Sequence, residues 1–397
     1  MSPSRNNSSI ADGHAVLADR VFDGHNWHAE AAVLVRDGRI VGLGSWGEVP
    51  PDWPQTRLPA GAFLVPGFID LQVNGGGGVL LNDQPTADGM RAIARAHRRF
   101  GTTACLPTLI TDTREQVWTA IAAARSISGR DGVLGLHLEG PFISPQRPGV
   151  HRSDRIAKPG AGDLEELCEL AGAGRSLVTL APECVPAGFV RTLASSGVRI
   201  SIGHSEAPAA VVMQAVADGA TGVTHLFNAM PPLSARAPGI IGAALAERRL
   251  TAGLIVDGIH VDPVSVRAAF AAKGSDRIAL VTDAMPTVGT SLDRFELDGR
   301  TIKLADGRLT TEDGTLTGAH LDMASAVRNA VRLAQLPLED ALRASSLTPA
   351  RFLGLGNERG ALVPGARADL VALTQELTVV ATWLDGSTDD VKSDWKC

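Results

Sequence analysis

Four polar residues capable of chemistry stand where apolar runs of the sequence end. They are Glu139 after Val133–Leu138, His204 after Val198–Ile202, His225 after Gly222–Thr224 and Asp283 after Ile278–Val281. Two imidazoles and a carboxylate are a ligand set typical of a zinc site with one position left open for water. We expect Glu139, His204 and His225 to bind such a metal.

Asp283 has a separate role in this interpretation. A metal ion lowers the pKa of a water towards about 7, and a neighbouring carboxylate can take its proton and pass it to the leaving group. Asp283 could also be a fourth ligand or a solvated residue at a strand end. We expect the acid–base role, and the four residues together predict metal-assisted hydrolysis.

A barrel of parallel strands would bring these residues together. The eight candidate strands are Phe63–Val73, Thr102–Leu109, Val133–Leu138, Leu177–Leu180, Val198–Ile202, Gly222–Leu226, Ala252–Val256 and Ile278–Val281. Helical stretches separate most of them, and eight such units over about 220 residues favour a TIM-type (β/α)8 barrel over an open sheet. The active site of that α/β fold lies at the C-terminal ends of the strands.

The two ends of the chain predict a smaller β unit. Ala31–Arg36 and Arg39–Leu43 flank Asp37-Gly38, a strong hairpin signal, and Ala368–Leu373 lies too far from the barrel repeat to be a ninth unit. We expect this last strand to complete an N-terminal β-sandwich. The expected boundaries are a tail at 1–12, sandwich at 13–62, barrel at 63–360 with a β insertion near 292–319, sandwich at 361–385 and a tail at 386–397.

Composition excludes several classes of partner. The 397-residue chain has a formal net charge of −6 and no basic block, which argues against nucleic acid or an anionic membrane. Its four cysteines form no CxxC pair, the N-terminus lacks an apolar signal segment, and no apolar run approaches the roughly 20 residues of a membrane span. We expect a cytoplasmic location.

Four segments resemble the N-acetylglucosamine-6-phosphate deacetylase family within the amidohydrolase superfamily. They are Pro66–Gly75, His137–Phe142, His225–Met230 and Val281–Ala284. The resemblance covers nearly the whole chain and implies a metal-bearing barrel with a small β-sandwich built from both termini. It further implies removal of the acetyl group from N-acetylglucosamine 6-phosphate, giving glucosamine 6-phosphate and acetate, in amino-sugar catabolism and cell-wall sugar recycling.

The first of these segments departs from many members of the superfamily. Where those members carry His-x-His for a second metal, this chain has Gln72 and Asn74. Neutral amides bind divalent cations weakly compared with imidazole. The family includes both arrangements, and the residues predict one divalent metal per subunit, with zinc expected and iron, cobalt or manganese as alternatives.

The resemblance also implies a site for the phosphosugar substrate. It places His151 as a catalytic group near the N-acetyl carbonyl, Val150, Asn228 and Ala229 at the sugar, Arg236 and His260 at the phosphate, and Thr317, Gly318 and Ala319 in a closing loop. It implies a homodimer in which His260 reaches the neighbouring subunit's site. From the residues alone, His151 and His260 could be loop histidines, Asn228 a loop cap, Arg236 a surface arginine and 317–319 a hairpin turn.

Two other functions remain open at this stage. Another cyclic or acyl amide hydrolase, such as a dihydroorotase-like enzyme, would be expected to carry His-x-His and often a lysine at a strand end, and neither is present. A non-catalytic scaffold that retains the barrel would be expected to have lost a ligand or Asp283, and all are present.

Overall fold

Residues 13–388 are described by a computed structural model in which two large sheets organise the chain. The tail expected at 1–12, and residues 389–397 of the tail expected at the C-terminus, lie outside the described residues. Within the described part, no helix is both long enough and apolar enough to cross a membrane.

The strands and helices follow in chain order. The strands are β1 His14–Phe22, β2 Trp27–Arg36, β3 Arg39–Ser45, β4 Gln55–Arg57, β5 Phe63–Pro66, β6 Phe68–Val73, β7 Gly75–Gly76, β8 Val79–Leu80, β9 Thr102–Ile110, β10 His137–Glu139, β11 Leu177–Leu180, β12 Arg199–Ile202, β13 Gly222–Val223, β14 Thr251–Leu254, β15 Ile278–Leu280, β16 Arg294–Leu297, β17 Arg300–Ala305, β18 Arg308–Thr310, β19 Leu370–Leu373 and β20 Val379–Trp383. The helices are α1 Ala87–Arg98, α2 Arg114–Ile127, α3 Asp163–Cys168, α4 Phe189–Ser195, α5 Ala209–Ala217, α6 Gly239–Ala246, α7 Pro263–Lys273, α8 Met323–Arg332, α9 Leu338–Ser345 and α10 Leu347–Phe352.

Eight parallel strands form the barrel in the order β6, β9, β10, β11, β12, β13, β14, β15. The ring closes where Val73 bridges Ala284, and where the Asp283 N–H donates to Gln72 O at 2.9 Å. Strands covered by helices are buried on both faces, which explains why they read as continuous apolar runs. The predicted (β/α)8 barrel is confirmed.

The second sheet is built from both ends of the chain. β19 pairs antiparallel with β5 and with β20, while β5 runs parallel to β1, and these strands enclose a core of their own that includes Val16, Leu64 and Trp383. The expectation that the last strand returns to the N-terminal unit is confirmed.

The first predicted barrel strand, 63–73, was wrong as a single element. β5 lies in the small sheet and only β6 enters the barrel. Pro66 has no N–H to continue a ladder. At Gly67 a Cβ would lie 2.2 Å from Thr103 Oγ1, so the chain passes from one sheet to the other at a place where only glycine fits.

A three-stranded antiparallel sheet, β16 to β18, follows the last barrel strand. Its buried residues Leu297, Ile302 and Leu309 pack in one cluster with Val150 and Met285. The insertion therefore supports the loop that carries residues 149–151.

Candidate metal centre

Four strand ends deliver the principal side chains to one mouth of the barrel. Glu139 is the last residue of β10, and His204, His225 and Asp283 come shortly after β12, β13 and β15. The last three have φ of 48°, 30° and 51°, a left-handed conformation that residues other than glycine adopt rarely. Such strain concentrates at functional sites, because the surrounding fold must hold it in place.

Glu139, His204 and His225 direct ligand atoms towards a common point. His225 Nε2 lies 3.0 Å from both Glu139 Oε1 and His204 Nε2, and His204 Nε2 lies 3.3 Å from Glu139 Oε1. Two ligands held about 2.0–2.1 Å from a tetrahedral Zn²⁺ are themselves about 3.3 Å apart. The spacing of these three atoms therefore fits a small divalent cation between them.

The hydrogen bond made by His204 supports this arrangement. Nδ1 of His204 lies 2.8 Å from the carbonyl oxygen of Arg147, which can only accept, so the ring proton resides on Nδ1 and the Nε2 lone pair faces the site. Burial acts to raise the pKa of Glu139, but the neighbouring imidazoles of His204 and His225 outweigh it and hold that pKa well below its usual range. The carboxylate is therefore ionised, as a metal ligand must be.

His151 lies beside this group and is a fourth possible ligand. Glu139, His151 and His204 bring ligand atoms within 4.8 Å of one another. Within this group, His151 Nε2 is 3.9 Å from Glu139 Oε2. Nδ1 of His151 lies 2.7 Å from the Thr111 hydroxyl and 3.3 Å from the Thr111 backbone nitrogen, so Thr111 holds the ring through Nδ1. Burial and the nearby His204 lower the pKa of His151 to about 3, so the ring is neutral. A neutral imidazole has one donor and one acceptor nitrogen, and it donates to a group in the site when its proton is on Nε2.

Two amides hold Asp283, a role that sequence reasoning missed. Gln72 Nε2 donates to Asp283 Oδ1 at 3.1 Å and to Glu139 Oε1 at 3.0 Å, and Asn74 Nδ2 donates to the same Asp283 oxygen at 2.6 Å. In the sequence analysis, these two amides are considered only as poor metal ligands. Gln72 and Asn74 are two residues apart, and this spacing places both side chains on one face of an extended segment. The spacing was the signal in the sequence that could have predicted their joint contact with Asp283. Burial and the charge of Glu139 raise the pKa of Asp283 to about 6.

A cavity of about 240 Å³ opens beside this group. Its walls include Glu139, Val150, His151, His204, His225, Asn228, Ala229, His260, Asp283 and Gly318, all of which the sequence places in the site. The walls also contain Asn74, Ile110 and Met285, which it does not. The structure thus brings most of the expected site residues around one space.

Three expected residues lie elsewhere. Arg236 is exposed and is not part of the cavity wall. Thr317 and Ala319 are buried behind the wall, where the Ala319 N–H donates to Asp283 O at 2.9 Å. This segment pairs with the chain after β15, and of 317–319 only Gly318 lines the cavity.

His260 lines the cavity of its own chain, whereas from the sequence we expect it to reach a neighbouring subunit's site. It follows β14, and its Nδ1 is 2.6 Å from Asp257 Oδ2. The Asp257 carboxylate also accepts from the His260 backbone N–H at 2.8 Å. These two contacts fix the imidazole in the wall without a second subunit.

Comparison with known proteins decides the family. The sequence profile of the Amidohydrolase family matches residues 63–388. The chain belongs to the amidohydrolase family. An N-acetylgalactosamine-6-phosphate deacetylase from Shewanella sp. (strain ANA-3) is 41% identical to this amidohydrolase over 393 residues, covering 97% of each chain. An N-acetylglucosamine-6-phosphate deacetylase from Haemophilus influenzae is 36% identical over 328 residues, covering 81% of this chain and 85% of its own.

A solved structure extends the likeness to the whole fold of the amidohydrolase. The crystal structure of N-acetylglucosamine-6-phosphate deacetylase from Pasteurella multocida superposes with a TM-score of 0.91 at 33% identity. The match covers 95% of this chain and 99% of the other, so both the barrel and the small sheet are shared.

Proposed function

We propose that this amidohydrolase removes the acetyl group from N-acetylglucosamine 6-phosphate, releasing acetate and glucosamine 6-phosphate. The observation that carries the proposal is the convergence of Glu139, His204 and His225 beside Asp283 in one cavity. Relatives that share 34–41% of the sequence carry the names of amino-sugar-phosphate deacetylases, which supports the same substrate class here.

The cation in this proposal is a single divalent metal, most simply zinc, held by Glu139, His204 and His225. When bound, it supplies Lewis acidity that lowers the pKa of a water and polarises the amide carbonyl. A second cation would need Gln72 and Asn74 as ligands. Amides bind cations through the carbonyl oxygen and do so weakly compared with imidazole, and both side chains already use their nitrogens to hold Asp283.

Asp283 is the proposed general base and acid. Asp283 lines the cavity, Gln72 and Asn74 both donate to its Oδ1, and no residue within 13–388 donates to Oδ2, so Oδ2 is the oxygen proposed to accept a proton. This oxygen takes the proton of the attacking water and then delivers it to the amide nitrogen, so that the C–N bond breaks with a neutral amine leaving. His151 donates from Nε2 to the carbonyl oxygen as negative charge develops there.

The phosphate is proposed to lie at the far end of the cavity, near His260. Arg236 would supply a bidentate contact, which guanidinium groups make well with phosphate. Because Arg236 is exposed and outside its own cavity, it can reach a phosphate only by movement of its loop or from a second copy of the chain. In a homodimer, therefore, Arg236 rather than His260 is the residue that we expect to cross the interface.

A second candidate substrate is N-acetylgalactosamine 6-phosphate. The relative from Shewanella, which matches 97% of this chain at 41% identity, carries the name of a deacetylase for that sugar. The two sugars differ only in the configuration at C4, and the amide chemistry proposed for Asp283 and His151 is the same for both.

Acetate release tests the proposal. The purified protein, loaded with zinc, is assayed with both 6-phosphorylated N-acetyl sugars and with free N-acetylglucosamine. We expect kcat/KM to be highest for one of the phosphorylated sugars and much lower for the free sugar. Absence of acetate from all phosphorylated substrates would refute the proposed function, whereas a clear preference for the galacto sugar would select the second candidate.

A further inference from the structure

Asn74 presents a carboxamide whose orientation is set by Asp283. Its Nδ2 donates to Asp283 Oδ1 at 2.6 Å, and Gln72 donates to the same oxygen. A carboxylate oxygen that already accepts from Gln72 requires the NH₂ end of Asn74 to face it. The carbonyl oxygen Oδ1 of Asn74 must then point away from Asp283.

That carbonyl oxygen has no partner in the described structure. Asn74 is 1% exposed, lines the cavity, and its Oδ1 makes no hydrogen bond with any residue within 13–388. Buried polar atoms are nearly always paired, and an unpaired one calls for an explanation such as a ligand that supplies the missing donor. The surroundings therefore favour a ligand that donates a hydrogen bond next to Asp283.

Gln72 provides an internal comparison. Its amide also donates to Asp283 Oδ1, at 3.1 Å, but it is not part of the wall of this cavity. Both amides thus hold Asp283, and only Asn74 also lines the space where a substrate would lie. Comparing variants of Gln72 and Asn74 therefore separates the shared role of holding Asp283 from a substrate contact made by Asn74 alone.

We propose that Asn74 Oδ1 accepts a hydrogen bond from the N–H of the scissile amide, and that Asn74 is thereby a residue that selects amides over esters. The inference rests on the proposed function, because it assigns the nitrogen that Asp283 protonates. A single carboxamide then contacts both the acid and the atom that receives its proton. A substrate whose leaving atom carries no hydrogen leaves Oδ1 unpaired, and sites built to bind an N–H reject such analogues.

The test compares an amide with an ester in matched variants. The substrates are N-acetylglucosamine 6-phosphate and glucose 6-phosphate acetylated on O2, whose leaving oxygen has no hydrogen. The variants are Asn74→Ala and, as control, Gln72→Ala, which also loses a donor to Asp283. We expect Asn74→Ala to reduce kcat/KM for the amide about tenfold more than for the ester, and Gln72→Ala to reduce both by the same factor.

Each outcome is decisive. Equal losses on amide and ester in Asn74→Ala would overturn the inference and indicate that Oδ1 faces only a buried water. A wild-type protein that fails to hydrolyse the amide at all would instead overturn the proposed function. If the melting temperature shows that Asn74→Ala does not fold, Asn74→Ser replaces it. Serine keeps a polar side chain that is too short to reach the substrate N–H. It is expected to give the same change in the ratio of amide to ester hydrolysis.

Discussion

Gln72 Nε2 donates to Asp283 Oδ1 at 3.1 Å, and this contact joins the strand that begins the barrel to the segment that follows its last strand. The same nitrogen donates to Glu139 Oε1 at 3.0 Å. One amide therefore holds both the proposed base and a proposed metal ligand. The closure of the barrel and the geometry of the site depend on each other at this point.

Replacing Asp283 tests the proton transfer directly. Asp283→Asn retains the shape of the side chain but cannot take a proton from water, so kcat should fall by about 10²- to 10⁴-fold. Metal content measured on the same preparation should stay at one equivalent, because Asp283 is not a proposed ligand. Near-normal turnover in this variant would remove Asp283 from the mechanism.

Variants of His225 and His151 should differ in how much metal they retain. His225→Ala removes an atom 3.0 Å from Glu139 Oε1, and we expect the dialysed variant to hold much less than one equivalent of zinc. His151→Ala should keep one equivalent and lose about 10²- to 10³-fold in kcat, because it removes only a donor to the carbonyl. If His151→Ala loses the metal instead, His151 is a ligand.

Arg236 should act on the phosphate alone. Arg236→Ala is expected to raise KM for N-acetylglucosamine 6-phosphate by about ten- to a hundredfold, since a charge-assisted contact is lost. The KM for the unphosphorylated sugar is the control and should change little. A similar rise for both sugars would take Arg236 away from the phosphate.

The buried carboxyl group of Asp70 should make the stability of the fold depend on pH, independently of the metal. It accepts from Thr282 Oγ1 at 2.5 Å and from the Gln72 backbone N–H at 3.1 Å, and burial raises its pKa to about 7. Because the folded carboxyl binds its proton more tightly than the unfolded one, its stabilising contribution is complete below the unfolded pKa and is lost as pH rises through about 7.

The melting temperatures of the wild type and Asp70→Asn measure this contribution. Between about pH 5 and about pH 8 the wild type should lose stability relative to the variant, which cannot titrate at this position. A difference in melting temperature that stays constant across this range would show that Asp70 does not titrate there.

Residues at the ends of barrel strands could be predicted from the sequence, because burial makes a parallel strand read as an apolar run and the next polar residue marks its end. Glu139, His204 and His225 were located this way, and they lie together around one point. The break between β5 and β6 could not be predicted from the sequence, because both strands are apolar. What marks the break is the close approach of Gly67 to Thr103, which is visible only in the fold.

Contacts between distant segments were beyond the sequence. The hydrogen bonds from Gln72 and Asn74 to Asp283 depend on how the barrel closes, and the link between Thr111 and His151 depends on the loop after β10. The exposed position of Arg236 and the buried positions of Thr317 and Ala319 likewise follow from how their loops fold, which residue type alone does not determine.

Titration of the metal-free protein with zinc tests the central claim most directly. Acetate release from the 6-phosphorylated N-acetyl sugar should be absent after chelation, rise in proportion to added zinc, and reach its maximum at one equivalent per chain. Activity that survives complete removal of metal, or that requires two equivalents to reach its maximum, would contradict a single cation held by Glu139, His204 and His225.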